Sequence, residues 1–230
     1  MQKNTQKKAF SLIELSVVLI IIGLLVSGVS GGVKLVESAR MNKNISSLTE
    51  LRNNFLIFYN IYEALPGDMS NASEFFTSPP TINDGDGDGK IEWSAEAYNA
   101  PLHLAKAELV DDQGYTGTSS YFLMEIPSAE KTKQRITILH TTGHSNFPTS
   151  SASHNVLQVV QEFDKAAYTP KKAYYIDKKF DDGKPRTGEI TVRYLADSTA
   201  ATCQNNTTDY YLESDTIACM LIYNLDPALQ

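Results

Sequence analysis

Hydrophobic and polar positions are distributed very unevenly along the chain. From 10 to 33 nearly every residue is apolar or small, and the only charge is Glu14. At about 1.5 Å rise per residue, this run is long enough to cross a bilayer as one helix. Lys3, Lys7 and Lys8 stand ahead of it, with no acid between Met1 and Ala9. Cations hold such an end in the cytoplasm, so the remainder is expected on the far side of the membrane. A secretory signal places a small-residue cleavage site after the apolar run. No Ala-x-Ala stands there, and the segment is expected to be retained. Glu14 then needs a partner, because an uncompensated acid in a membrane helix costs about 2.5–3.5 kcal/mol.

Beyond Gly31 and Gly32 the pattern becomes amphipathic. Leu48, Leu51, Phe55, Phe58 and Tyr62 recur three and four apart, while Glu50, Arg52, Asn53 and Asn54 face away. The spacing predicts one long helix over about 10–64, with room for a bend near 28–32. Leu65-Pro66-Gly67-Asp68 ends it, since Pro cannot continue a helix and Gly permits the turn. A polar connection follows over 69–94. A second helix is expected over 99–110, with Asn99 as its cap and Pro101 in its first turn. Strands are expected over 119–126, 135–140, 189–195 and 219–223, a surface loop over 140–155, and a helix over 156–167.

Charge and cysteine content narrow the partners. The formal net charge is −7, and loss of the three lysines before residue 10 would take it to −10. Such an acidic chain is unsuited to binding nucleic acid through its soluble part, and suits divalent cations or basic partners. The two cysteines, Cys203 and Cys219, are expected to form a disulfide in an oxidising compartment, worth about 3 kcal/mol for a loop of that length. Free buried thiols are the alternative.

Asp84-Gly85-Asp86-Gly87-Asp88-Gly89-Lys90-Ile91-Glu92 carries an acid at every second position and a Gly after the third acid. This is the first half of an EF-hand calcium loop, in which alternate side chains converge on one cation. Ala95 stands at the twelfth position in place of the bidentate Glu, with Glu96 one residue later. Asp84, Asp86, Asp88, Glu92 and Glu96 are therefore the candidate calcium ligands, against the plainer reading of a solvated acidic turn. A second acidic stretch, Asp177 with Asp181-Asp182-Gly183-Lys184-Pro185, reads first as a structural turn, because Asp-Gly and Pro form turns unaided. His140, His144, Ser145, Asp164 and Asp181 can be combined into a triad on paper, but no Gly-x-Ser-x-Gly accompanies them. No His-Glu-x-x-His, phosphate-binding loop or Gly-x-Gly-x-x-Gly is present, and an enzyme is not expected.

Lys7-Lys8-Ala9-Phe10-Ser11-Leu12-Ile13-Glu14-Leu15 with the apolar helix behind it resembles the prepilin N-terminus of type IV pilins and type II secretion pseudopilins. The resemblance covers 10 to about 62. It implies cleavage between Ala9 and Phe10 by the prepilin peptidase, and methylation of the new amine on Phe10. Glu14 matches the acid that pairs with the N-terminal amine of a neighbouring subunit, and Gly23 matches a glycine of the membrane helix. Ala9 departs from the usual Gly before the cut, and Gly31-Gly32 stand where many pilins have Pro. The implied fold is α+β and pilin-like, a long N-terminal helix with a transmembrane first half, packed on an antiparallel sheet. The implied division is a leader over 1–9, a transmembrane and assembly helix over 10–33, and a periplasmic globular domain over 34–230. The implied role is a structural subunit of a type IV pilus or type II secretion filament, anchored in the inner membrane until assembly. Its partners would be homologous subunits, the peptidase and an inner-membrane assembly platform. A monomeric, membrane-anchored, calcium-dependent binding protein is the alternative.

Overall fold

The computed structural model describes residues 11–77, 82–93, 95–118, 122–126, 133–141, 153–161, 165–193, 203–205 and 208–225. The chain divides into two compact units, Met1–Arg40 and Met41–Gln230. Helix α1, Leu12–Tyr62, begins in the first and continues into the second without a break at the glycines. In the first unit its large apolar side chains, from Leu12 through Val36, are exposed. It is long and apolar enough to cross a membrane.

In the second unit the same helix is amphipathic. Met41, Ile45, Leu48, Leu51, Phe55 and Phe58 are buried along one stripe, as the three-and-four spacing requires. They join a core with Ile136, Ile138, Leu157, Val159, Ile190, Val192, Leu221 and Tyr223. Those residues belong to a five-stranded sheet formed by β1 Phe122–Ile126, β2 Gln134–His140, β3 Asn155–Val160, β4 Ile190–Arg193 and β5 Met220–Asn224. The strand order is β1-β2-β3-β5-β4 and every pairing is antiparallel. This is the α+β arrangement of a long N-terminal helix and an antiparallel sheet. Asn44 is fully buried in the helix stripe, and its Nδ2 donates to Gln134 Oε1 on β2 at 3.0 Å.

Residues 156–167 were expected to be helical, and the structure corrects this. Asn155–Val160 is a strand between β2 and β5, buried at all six positions. Leu157 and Val159 face the main core, while Val156 clusters with Leu139 and Ile222 on the reverse face. A strand buried on both faces loses the alternation that identifies strands in a sequence. Asn99 does not cap the second helix either. Helix α3 runs Ala95–Lys106, with Asn99 inside it and fully buried, and Pro101 well past the first turn. The start is fixed by Glu96, whose Oε2 accepts from Glu92 N at 3.0 Å and whose Oε1 accepts from Asp86 N at 3.0 Å.

Two helices were not anticipated. Helix α2, Ala72–Phe75, is one turn. Helix α4, Pro170–Phe180, begins with Thr169 in the cap position and Pro170 at its first residue, where a missing N–H costs nothing. Cys203 and Cys219 form the expected disulfide, with Cα atoms 5.2 Å apart. The bond ties the segment before β5 back to residue 203, and Cys219 also pairs with Tyr168 through backbone bonds. Replacing both cysteines by Ala is expected to destabilise the second unit by about 3 kcal/mol. Thermal unfolding by circular dichroism checks this, and an unchanged midpoint in the double variant would contradict it.

Candidate functional sites in the acidic loop and the apolar helix

The acidic loop is organised by a residue that lies outside the EF-hand pattern. Asp68, in the turn after α1, is buried. Its Oδ1 accepts from Gly87 N at 2.8 Å and Asp88 N at 3.1 Å, and its Oδ2 accepts from Gly89 N at 2.9 Å. Gly87 and Gly89 have φ of 75° and 84°, the left-handed conformation that points these amides inward and that favours glycine. Three loop amides thus wrap one carboxylate. Asp84, by contrast, turns to α2: its Oδ1 accepts from Ser73 N at 2.7 Å and its Oδ2 from Ser73 Oγ at 3.0 Å.

Of the five candidate ligands, the structure therefore brings together four and sets Asp84 apart. Asp68, Asp86 and Asp88 have carboxylate oxygens within 4.8 Å of one another, and so do Asp86, Glu92 and Glu96. Asp86 belongs to both groups. Burial pushes the Asp68 carboxyl up to about 6, against the pull of its amide bonds. Burial, reinforced by a hydrogen bond to Glu92, pushes Glu96 up to about 7. Asp88 is held below the usual range by its contact with Lys90. Carboxylates facing one another with raised proton affinity form a donor set of hard oxygens, suited to a cation such as calcium. Sequence spacing could not reveal Asp68, which lies sixteen residues before Asp84 and meets the loop only through the fold.

His103 braces the same turn. It is fully buried, its Nδ1 accepts from Gly67 N at 3.0 Å, and its Nε2 lies 3.3 Å from the Asn83 carbonyl. The first bond fixes the tautomer, so Nε2–H is the donor to Asn83. Burial lowers the imidazole to about 4, and it stays neutral in its structural role.

In the first unit the start of α1 forms a capping box. Ser11 Oγ accepts from Ile13 N at 3.3 Å, and Glu14 Oε2 reaches back to accept from Ser11 N at 2.9 Å. A serine followed three residues later by glutamate is a sequence signal of a helix start, and Ser11 could have been read as the cap. Ala9 and Phe10 lie outside the described residues. Residues 4–30 match the family model of the prokaryotic N-terminal methylation motif. The chain carries the prepilin-type cleavage and methylation motif of type IV pilins and pseudopilins. No curated protein and no solved structure matches the chain. The prepilin motif implies processing by prepilin peptidase, assembly with other pilin-type subunits, and anchoring by an apolar helix. It supports a pilin-like processed subunit.

Elsewhere in the chain, the second acidic stretch is a turn built by its own carboxylates. Asp181 Oδ2 accepts from Ile190 N at 2.9 Å, and Asp182 Oδ1 accepts from Lys184 N at 2.8 Å. Asp177 is fully buried, its Oδ1 accepting from Gly183 N at 3.0 Å and its Oδ2 from Tyr210 OH at 2.6 Å. Of the residues combined into a triad on paper, His144, Ser145 and Asp164 lie outside the described residues. Asp181 is committed to the turn, and His140 ends β2.

Burial pushes Asp177 up to about 7, despite the lowering effect of the Tyr210 and Gly183 bonds. The folded chain therefore holds a proton there that an unfolded aspartate releases near 3.8. Its contribution to stability is full in acid and is lost as pH rises from about 4 to about 7. Asp177→Asn removes this loss. The variant is expected to melt at least about 2–4 °C above the parent at pH 8, and no higher than the parent at pH 5. Calorimetric scans across that range decide it, and parallel pH profiles for the two proteins would count against the assignment.

Proposed function

We propose that this protein is a subunit of a type IV pilus or type II secretion filament, cut between Ala9 and Phe10, N-methylated on Phe10, and polymerised through its N-terminal helix. The observation that carries this reading is Glu14, the one charge in an apolar helix inside the matched motif. A tether needs no such acid. In the assembled filament Glu14 accepts the amine of Phe10 from the adjacent subunit. Two charges that are each costly in an apolar surrounding then offset one another and set the axial register. Before assembly the subunit sits in the inner membrane with residues 34–230 in the periplasm, delivered there by the cationic leader.

The acidic loop of this subunit takes calcium through Asp68, Asp86 and Asp88, with Glu92 and Glu96 adjoining. What supports this is the convergence of carboxylate oxygens within 4.8 Å around Asp86 and the raised proton affinity of Asp68 and Glu96. Asp68 Oδ2, which accepts from Gly89 N alone, keeps lone-pair capacity for a cation.

The processed protein is expected to begin at Phe10, and Glu14→Val is expected to leave membrane insertion and processing intact while abolishing incorporation into filaments. Intact mass and filament shearing measure both. A Glu14→Val subunit that enters filaments at the parent level would reject the registration role, whereas a parent protein that is never recovered in filaments would favour the monomeric, calcium-dependent binding protein.

For the loop, calcium is expected to raise the melting temperature of the full chain in detergent relative to chelator. The gain grows as RT ln(1 + [L]/Kd), about 2.7 kcal/mol at a hundredfold excess over Kd. Magnesium is expected to do less, since it demands a tighter octahedron. Asp86→Asn with Asp88→Asn is expected to remove the calcium response. Identical melting curves in calcium and in chelator would leave the loop a solvated turn.

A further inference from the structure

The β2–β3 hairpin closes on a group that the filament role does not use. His140, the last residue of β2, stands directly opposite Asn155, the first of β3. Asn155 Nδ2 donates to the Gly89 carbonyl at 3.0 Å, and its Oδ1 accepts from Ile91 N at 3.0 Å. These two bonds fix which end of the amide is oxygen. His140 Nδ1, 3.3 Å from that oxygen, must therefore be the protonated nitrogen. The Nε2 lone pair is left facing Ser153 Oγ at 3.5 Å. His140 and Asn155 are buried, while Ser153 is exposed. All three line a cavity of about 650 Å3 together with Tyr59, Asp68 and Lys90.

A hydroxyl beside an imidazole whose other nitrogen is held by a side-chain oxygen is the arrangement that activates a nucleophile. A long hydroxyl–imidazole distance is usual in unliganded sites and shortens when substrate binds. We propose that Ser153, His140 and Asn155 form an acyl-accepting site that cleaves small neutral esters. Ser153 Oγ forms a bond to the ester carbonyl carbon as its proton passes to His140 Nε2. The ester C–O bond then breaks, and the proton leaves with the alkoxide as an alcohol. Water attacks the acyl-Ser153, gives its proton to Nε2, and releases the acid while Ser153 regains its hydrogen. Asn155 is a positioning residue that fixes the tautomer of His140. The acidic wall at Asp68 and Asp88 disfavours anionic substrates, which is why the substrate class is neutral.

The test uses the full chain in detergent with an alkyl fluorophosphonate and peptide mapping of the adduct. Ser153 is expected to label selectively in the native protein and at background rate after unfolding. Labelling of native Ser153 no faster than other exposed serines, such as Ser70, would overturn the proposal. His140→Ala is expected to slow labelling about 100-fold or more, with added imidazole restoring part of the rate through the vacated space. A folded His140→Ala variant that labels at the parent rate would also overturn it. Asn155→Asp, which keeps the acceptor for Nδ1, is expected to retain labelling that Asn155→Leu loses. Equal labelling in those two variants would remove Asn155 from the site. A burst of about one equivalent of nitrophenol from p-nitrophenyl acetate followed by continued turnover, both lost in Ser153→Ala, is the matching expectation for an ester.

Discussion

The buried stripe of α1 from Met41 to Phe58 is the constraint on which the second unit rests. A helix with Leu48, Leu51, Phe55 and Phe58 on one side must cover them, and the sheet covers them with Ile136, Leu157, Val159 and Leu221. Each such side chain contributes about 1.5–3 kcal/mol when taken out of water, which exceeds what one typical hydrogen bond adds. The sheet's order follows the same demand. β2, β3 and β5, the three inner strands, present apolar side chains to both faces, and β4 at one edge still adds Ile190 and Val192 to the core. Two buried polar groups of this interior meet side-chain partners. Asn44 meets Gln134, and Tyr210 meets Asp177.

Buried acids are the second theme. Asp68, Glu96 and Asp177 all hold protons more tightly than a free carboxyl, with burial as the leading cause each time. The surroundings separate their roles. Asp177 has a phenol to satisfy it and lies at a turn flanked by Lys178 and Lys179. Asp68 and Glu96 face other acids across a loop open to water at Asp86 and Asp88. Asp177 also converges with Asp181 and Asp182, their carboxylate oxygens lying within 4.8 Å of one another, and Asp68 too is held by donors, the three loop amides. The two clusters share this physics and differ in surroundings, since Asp86 and Asp88 are open to solvent while the Tyr210 phenol meets Asp177.

What the sequence made legible was whatever depended on neighbours along the chain. The apolar run, its single acid, the amphipathic stripe and the turn at Pro66-Gly67 all declare themselves by spacing, and the helix and most strands follow. The disulfide was legible from compartment and cysteine number. What depended on the fold was not. β3 hides its period because both its faces are buried, so Val156 to Val160 read as helix. Asn99 looked like a cap because it precedes Pro101, yet Glu96 fixes the start of α3 by reaching amides at Glu92 and Asp86. Asp68 could not be counted with the loop it organises. The Thr169-Pro170 pair, by contrast, was a readable helix start that went unread.

The acidic loop and the hairpin end are mechanically one object. His140 N donates to the Ile91 carbonyl at 2.7 Å, and Asn155 receives Ile91 N while donating to Gly89. Gly89 in turn donates to Asp68, which also holds Gly87 and Asp88. A continuous set of hydrogen bonds thus runs from the Asp68 carboxylate through the loop backbone to the Asn155 amide and the His140 ring. Ordering the loop with a cation would hold Gly89 and Ile91 in place, and with them the orientation of Asn155 and the tautomer of His140. The loop residues between Gly85 and Gly89 make no helix or strand, so these hydrogen bonds are what hold them. The carboxylates of Asp68 and Asp88 and the hydroxyl–imidazole pair thus line one cavity and are joined by one set of hydrogen bonds.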